Sequence, residues 1–382
     1  MVQLTTIFST LAKNISIRSG RKSNSRLDVG REAADTLAKE ARKNEMMLTS
    51  SGIVNANRTS NMASAYSKRG KKGINQDRFI VWEEFGCQED MIFCGIFDGH
   101  GPWGHIVAKT VRQLMPSFLL CNWQETLAQF VPKPDNDEMG SSDGCHSQFD
   151  IWKQSYFKTC SAIDYQLSQL PGIDSFYSGS TALTIVRQGD LIVVANIGDS
   201  RAVLATTSVD GSCLIPIQLT VDLKPNLPQE SERITQSKGR IFSSHDEPGV
   251  YRVWMPNGNT LEGPGLAISR AFGDYYIKDF GLISDPELTQ RRITSRDQFA
   301  ILATDGVWDV ISNQEAVDIV SSTPEREESA KRLVESAVCA WKRKRPGIAM
   351  DDISAICLFF HDDSCPSQEV VDPLKLSSAK LA

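Results

Sequence analysis

The 382-residue sequence predicts an α+β fold, a central β-sandwich of two antiparallel sheets with helices on both outer faces. Three observations predict it. From about Tyr66 onward, short apolar or β-branched runs recur between turn residues, as strands of a layered sheet protein do. Several follow one another as hairpins, such as Thr181–Val186, then Gln188-Gly189-Asp190, then Leu191–Ile197, and hairpins make antiparallel pairs. Longer stretches with helical spacing interrupt them, and many antiparallel strands plus several long helices give an α+β layered architecture.

Taken in order, residues 1–27 carry Lys13, Arg18, Arg21, Lys22 and Arg26 and no acidic residue. Three readings stay open for them: a solvated tail, a segment lying on an anionic membrane, or an organelle transit peptide. Val2 stands where N-myristoylation requires glycine. Residues 28–50, rich in Ala, Glu, Lys and Leu, read as a helix, and Ser50–Ser64 as a polar linker. Strands are expected over Phe79–Trp82, Met91–Phe97, Thr181–Val186, Leu191–Ile197, Ala202–Ala205, Leu214–Leu219, Leu266–Ser269, Phe299–Ala303 and Ile353–Phe360. Helices are expected over His105–Met115, ended by Pro116, and over Ile151–Leu170, whose stripe is Trp152, Tyr156, Cys160, Ile163, Leu167 and Leu170. Ser312 and Glu315 form a capping-box pattern, and Thr323-Pro324 reads as the start of a helix to about Trp341. Residues 131–148 look like a surface insertion. The expected organisation is an N-terminal extension over 1–59, a catalytic domain over 60–362 and a short tail over 363–382.

Composition excludes several classes. The net charge of −6 argues against a nucleic-acid binder, and 41% hydrophobic residues are enough for a sizeable core. No apolar run approaches the ~20 residues of a membrane span. Nine scattered cysteines without a C-x-x-C pair make a disulfide framework or zinc ribbon an unsuitable reading. Five scattered histidines leave carboxylates as the candidates for any metal.

Those carboxylates recur at the ends of apolar strands: Asp98 after Met91–Phe97, Asp199 after Leu191–Ile197, Asp305 and Asp309 after Phe299–Thr304, and Asp351-Asp352 before Ile353–Phe360. A carboxylate beside a buried strand costs several kcal/mol unless it is paired or metal-bound. Any single Asp-Gly is read first as a turn, but several in register with buried strands suggest a cage of hard oxygen ligands. Such a cage suits Mg²⁺ or Mn²⁺ rather than zinc or copper.

The ordered motifs Asp98-Gly-His-Gly, Gly179-Ser-Thr-Ala182, Asn196-Ile-Gly-Asp-Ser-Arg201, Leu266-Ala-Ile-Ser-Arg-Ala-Phe-Gly-Asp274, Asp305-Gly-Val-Trp-Asp309 and Asp351-Asp-Ile-Ser354 resemble the protein phosphatase 2C family, in a plant-type texture, over roughly residues 60–362. The resemblance implies a four-layer αββα sandwich and hydrolysis of phosphoserine and phosphothreonine in signalling proteins. It implies two Mg²⁺ or Mn²⁺ ions per subunit and a weaker third. Asp98 would bridge the two ions, with Gly99 offering its carbonyl to one and Asp305 binding the other together with one of the pair Asp351-Asp352, of which the motif alignment favours Asp351. Asp199 and Asp309 match the third-ion positions, His100 the general acid, and Lys72 a phosphate-gripping position where the family often has Arg. Gln76 stands where the family's animal members have Glu, which turns attention to Asp77 as a contributor. Lys72 lacks the planar fork of Arg, so its grip would be less directional.

Two ions ~3.5–4 Å apart would activate a bridging water for in-line attack, and His100 would protonate the leaving oxygen. Two other classes are kept beside this one: a catalytically weak adaptor, and another metal-dependent hydrolase such as a nuclease. The expected partners are phosphorylated proteins, with no nucleic acid, peripheral membrane contact through the basic N-terminal segment, and a monomeric state. The expected location is cytoplasmic, nuclear or at the plasma-membrane surface. Asp279-Phe-Gly281 matches the kinase magnesium tripeptide by chance, since no other kinase motif accompanies it. Lys342-Arg-Lys-Arg345 reads either as a nuclear-import signal or as the cationic last turn of a helix. Trp254 lies in a 225–265 stretch where the family carries a flap, and reads equally as a contact residue or a packed aromatic.

Overall fold

The computed structural model describes residues 53–54, 62–130, 147–244, 247–257 and 260–361. The expected basic segment, the 28–50 helix, nearly all of the 131–148 insertion and the 363–382 tail lie outside the described residues. The described residues belong to one unit spanning 50–382.

The chain opens with β1 (Ile53–Val54), β2 (Ala63–Lys68), β3 (Arg78–Glu83), β4 (Met91–Phe97) and the short β5 (Gly99–His100). Helices α1 (Gly104–Phe130) and α2 (Gln148–Gln169) follow, then β6 (Gly179–Ser180), β7 (Ala182–Gln188), β8 (Leu191–Ile197), β9 (Arg201–Thr207) and β10 (Leu214–Gln218). Helix α3 (Pro228–Gln236) leads into β11 (Arg240–Ser243), β12 (Tyr251–Asn257), β13 (Thr260–Leu266) and β14 (Phe272–Gly273). The last part holds α4 (Tyr275–Lys278), β15 (Glu287–Arg292), β16 (Asp297–Ala303), α5 (Asp305–Trp308), α6 (Asn313–Ser321), α7 (Ser329–Lys344) and β17 (Ile353–Phe359).

Two main sheets form, in the orders β1-β3-β4-β7-β8-β15 and β10-β9-β16-β17-β2. All their pairings are antiparallel except β1 with β3. Side-chain alternation explains why they stack. Ala202, Leu204, Ala300, Leu302, Ile356 and Leu358 face the first sheet, where they meet Ile92, Cys94, Ile96, Leu183 and Ile185. The alternate residues Val203, Ala205, Ile301, Ala303, Ala355 and Cys357 face the other way, onto Leu333, Val334, Ala337 and Trp341 of α7. Strands buried on both faces read as continuous apolar runs, and so these were the legible ones. On the opposite side α1 and α2 cover the first sheet. Their Trp123 and Trp152 rings stack at 5.1 Å, and Thr184 of β7 donates to the Tyr156 hydroxyl of α2 at 3.0 Å.

Three expectations are corrected. Helix α1 does not stop at Pro116 but runs through it to Phe130. An internal proline costs about 3 kcal/mol, and burial of Leu119, Leu120 and Trp123 beyond it outweighs that cost at ~1.5–3 kcal/mol per large side chain. Thr323-Pro324 does not open a helix; a 3₁₀ turn at Arg326–Glu328 precedes α7, which starts at Ser329. The Leu266–Ser269 strand is displaced, because β13 ends at Leu266 and belongs to a separate hairpin layer, β11-β12-β13. Other readings hold: Ser312 caps α6 in a full capping box, and Lys342, Arg343 and Lys344 form the cationic last turn of α7.

Registers place the site. Arg78 pairs with Phe97, and Ala182 with Ile197, at one end of the first sheet. Ala303 pairs with both Arg201 and Ala355 at one end of the second. The turns leaving these ends carry Asp77, Asp98, Asp199, Asp305 and Asp351.

Candidate active site

The two sheet ends are tied together at Asp77. This residue is buried, and its Oδ2 accepts from Ser354 Oγ at 2.7 Å and Thr304 Oγ1 at 3.0 Å, both from the second sheet. Its Oδ1 is buried with no hydrogen-bond partner, and so is Oδ1 of Asp305 and Oε1 of Gln76. Buried polar atoms are nearly always satisfied, so three orphaned oxygens together are an anomaly that a cation would resolve.

Asp98 follows β4 directly. Its backbone is pinned on both sides by Thr181, whose Oγ1 accepts from Asp98 N–H at 3.0 Å and whose N–H donates to Asp98 O at 2.9 Å. Gly99 has no room for a side chain, since a Cβ there would sit 2.3 Å from Gly104 O. Asp305 is the first residue of α5. Gly306 after it carries the same constraint, because a Cβ would meet Asp352 O at 2.0 Å.

The neighbouring pair Asp351-Asp352 divides its work. Asp352 accepts the backbone N–H groups of Gly70 (2.7 Å) and Gln76 (2.8 Å), so both its oxygens hold the 70–76 loop. Asp351 instead accepts Lys72 Nζ at 2.5 Å. Lys224 Nζ forms an ion pair with Asp199 Oδ2. Asp309 is exposed and lies 3.4 Å from Arg345.

The electrostatics follow from this crowding. Burial, and then the charges of Asp77, Asp305, Asp351 and Asp199, push the Asp98 carboxyl well above the usual range. Burial, then Asp199, Asp351 and Asp309, push Asp305 the same way. Asp77 is raised to about 7, first by burial and then by Asp352 and Asp351, against the pull of its two hydroxyl donors. Burial alone would lower Lys72, but Asp351, with Asp305 and Asp98 behind it, raises it. Among the described residues, no three Asp, Glu, His or Cys side chains are grouped closely enough to close on one ion as they stand. The aspartates form a loose, mutually repelling ring, two of whose members are held by lysine ammonium groups. The donor set is all oxygen, negatively charged and partly unsatisfied, which fits Mg²⁺ or Mn²⁺.

His100 lies beside this ring, its Nε2 2.6 Å from Asp274 Oδ2. Burial would lower its pKa, but the adjacent Asp274 carboxylate raises it by more.

A model of the family described as protein phosphatase 2C matches residues 68–344. The chain belongs to that family. It is a metal-dependent protein serine/threonine phosphatase. A chain from Arabidopsis thaliana described as "Probable protein phosphatase 2C 34" is 61% identical over 95% of this chain and 99% of its own length. One from Oryza sativa subsp. japonica, "Probable protein phosphatase 2C 48", is 53% identical over 94% of this chain and 99% of its own. The crystal structure of a serine-threonine phosphatase 2C from Toxoplasma gondii superposes with a TM-score of 0.67 at 25% identity, covering 78% of this chain and 94% of that one. The family match ends before Asp351, but β17 pairs antiparallel with both β16 and β2, so Asp351 is carried into the site by a central strand of the phosphatase fold.

The structure therefore gathers Asp77, Asp98, Asp199, Asp305 and Asp351 at one rim, with Lys72 above Asp351 and His100 alongside. Asp309 stands at the exposed margin. Sequence reasoning missed Lys224 and Asp274. Lys224 gave no signal. Asp274 did: it closes the motif Leu266–Asp274, two residues after Phe272. Trp254 is a packed aromatic, stacked on Phe242 at 5.1 Å. Asp279-Phe-Gly281 is the turn after α4, its Gly281 carbonyl accepting from Arg233 at 2.9 Å.

The buried brace of the Asp305 turn gives one prediction. Trp341 Nε1 donates to Gly306 O at 2.7 Å. Trp341→Phe should cost about 1–3 kcal/mol by leaving that carbonyl unsatisfied. Denaturant unfolding would show this as a lower midpoint at unchanged slope.

Proposed function

We propose that this phosphatase hydrolyses phosphoserine and phosphothreonine on proteins with two Mg²⁺ or Mn²⁺ ions held by the aspartate ring. The observation that carries this reading is the pair of buried, unpartnered carboxylate oxygens, Asp77 Oδ1 and Asp305 Oδ1, within a ring whose members raise one another's pKa. When bound, such ions lower the pKa of a water and neutralise phosphate charge. Asp98, which follows β4, would be the carboxylate shared by the ions, with the Gly99 carbonyl, Asp305 and Asp351 completing the set of residues that would hold them. Asp199 and Asp309 would hold a third ion weakly, since Asp199 is already engaged by Lys224 and Asp309 is exposed beside Arg345. Lys72 is exposed above Asp351 and grips the phosphate. His100 protonates the departing oxygen. Phosphoryl transfer needs mainly positioning and charge neutralisation, so no covalent nucleophile is required.

Three measurements test this reading. Turnover of a phosphothreonine peptide should require Mn²⁺ or Mg²⁺ and vanish in EDTA; turnover that persists in EDTA removes the metal mechanism. Lys72→Ala should lower kcat/KM about 10- to 100-fold through the loss of a charged hydrogen bond to phosphate. Stability of the EDTA-stripped protein should fall as pH rises. Asp77 holds its proton more tightly folded than unfolded, so its contribution is present at low pH and is lost from ~4 upward through about 7, with Asp98 and Asp305 acting in the same direction. Thermal melts at pH 5.5 and 8 check this, and saturating Mn²⁺ should remove most of the difference. Glu230, held down to about 2 by Arg233 and Arg270 against the cost of burial, limits the other side: its contribution is lost only as pH falls toward 2.

The proposed setting is a monomer acting on phosphoproteins in the cytoplasm and nucleus, with residues 1–27 as a peripheral membrane contact. A reporter fused to residues 1–30 tests the last point. Among the described residues no helix is long and apolar enough to cross a membrane.

A further inference from the structure

Asp274 has no assigned role in the site above, and it is 1% exposed. Its backbone occupies the left-handed region at φ 51 and ψ 45. That conformation costs a residue with a side chain about 1–2 kcal/mol and persists only where the surroundings enforce it. The enforcement is visible. Asp274 N–H donates to Ser178 O at 3.0 Å. On either side of it, Gly273 N–H donates to Asp164 Oδ1 at 3.1 Å and Lys278 Nζ to Asp164 Oδ2 at 3.0 Å, so α2 grips the turn with one carboxylate. The Asp274 side chain precedes α4 but does not cap it. Its oxygen is spent on His100 instead, 2.6 Å from Nε2.

A small sheet delivers that contact. Three two-residue strands lie in the order β14-β6-β5, with His100 opposite Gly179 and Gly179 opposite Gly273. Gly179 leaves the space the pair occupies: a Cβ there would sit 2.1 Å from Asp274 Oδ2 and 2.6 Å from His100 Nε2. The strained turn, the glycine gap and the buried acid share one outcome, the orientation of one imidazole.

We propose that Asp274 is a positioning residue for the phosphatase reaction, fixing the plane of His100 and directing Nδ1 toward the leaving group. This rests on the reading of His100 as the proton donor. A carboxylate only accepts, so Nε2 carries the hydrogen shared with Asp274 and Nδ1 is the nitrogen left for substrate. In the step itself, a water oxygen bonds to phosphorus and the bond to the seryl or threonyl oxygen breaks. That oxygen keeps the electron pair and takes the Nδ1 proton. His100 is left neutral, with Nε2–H still on Asp274, and regains a proton from solvent, which has received the one released by the attacking water.

The test uses two leaving groups on the Mn²⁺-loaded full chain. A phosphothreonine peptide expels an alkoxide and needs an acid; p-nitrophenyl phosphate expels a stable phenolate and needs little. Asp274→Ala should lower kcat on the peptide about 10²-fold, at the low end of general-acid effects, with a far smaller loss on p-nitrophenyl phosphate and little change in KM. The His100→Ala/Asp274→Ala double variant should be no slower than His100→Ala, because the two act as one unit. Should Asp274→Ala fail to fold, Asp274→Leu, which keeps the heavy-atom shape but offers no acceptor to Nε2–H, should show the same selectivity. Equal losses on both substrates, or additive losses in the double variant, overturn the proposal. If His100→Ala is itself unselective between the substrates, the proton-donor reading falls and this proposal falls with it.

Discussion

Asp98→Asn should lower kcat on a phosphothreonine peptide by on the order of 10³-fold, the rate equivalent of several kcal/mol of lost charge stabilisation. The same change should raise the melting temperature of the metal-free protein. Both follow from one feature: Asp98 feels Asp77, Asp305, Asp351 and Asp199 at once. In the absence of cations its charge only adds repulsion, so removing it relieves the fold; in their presence the same charge is needed. Thermal melts in EDTA and in Mn²⁺ should therefore move in opposite directions relative to wild type. A variant that melts lower in EDTA, or that keeps activity within tenfold, would show that Asp98 serves the fold rather than the ions.

Gly306→Ala is the second large effect expected, and it acts through backbone alone. A Cβ there would lie 2.0 Å from Asp352 O and 3.1 Å from Ile353 Cα, neither of which can swing aside as a side-chain end would. The entry to β17 must move instead. Asp305 and Asp351 lie on the two sides of this contact, so the shift separates two site carboxylates. Overpacking of this kind costs about 1–3 kcal/mol, and a misplacement of about 1 Å at reacting groups costs about 10²-fold in rate. Calorimetry and peptide kinetics would check both parts. Wild-type kinetics with a lowered melting point would mean that the turn yields without disturbing Asp305 and Asp351.

The strand-end aspartates were legible because a charge beside a doubly buried strand is anomalous in one dimension as well as in three. Asp98 follows an apolar run directly, Asp199 and Asp305 follow one after a single residue, and the hairpin spacing around 188–190 showed which strands pair. What the sequence could not show is division of labour across long separations. Asp351 and Asp352 look equivalent until Asp352 is seen holding Gly70 and Gln76, 282 and 276 residues away. The Asp274–His100 pair spans 174 residues and depends on three two-residue strands too short to carry a period. Local rules also lost to packing. Pro116 signals a helix end, but the burial of Leu119, Leu120 and Trp123 carries α1 past it. Strand β15, Glu-Leu-Thr-Gln-Arg-Arg, was missed because it is an edge strand with partly exposed polar side chains.

The central claim is that carboxylates remote in sequence share a pair of divalent cations. Calorimetric titration of the EDTA-stripped chain with Mn²⁺, run beside Asp98→Asn, tests it most directly. Two tightly bound ions per wild-type chain, with any third filling only at higher concentration, and loss of the tight binding in the variant while the fold is retained, is the predicted result. Saturation at no ion or one, or unchanged binding in Asp98→Asn, would contradict it.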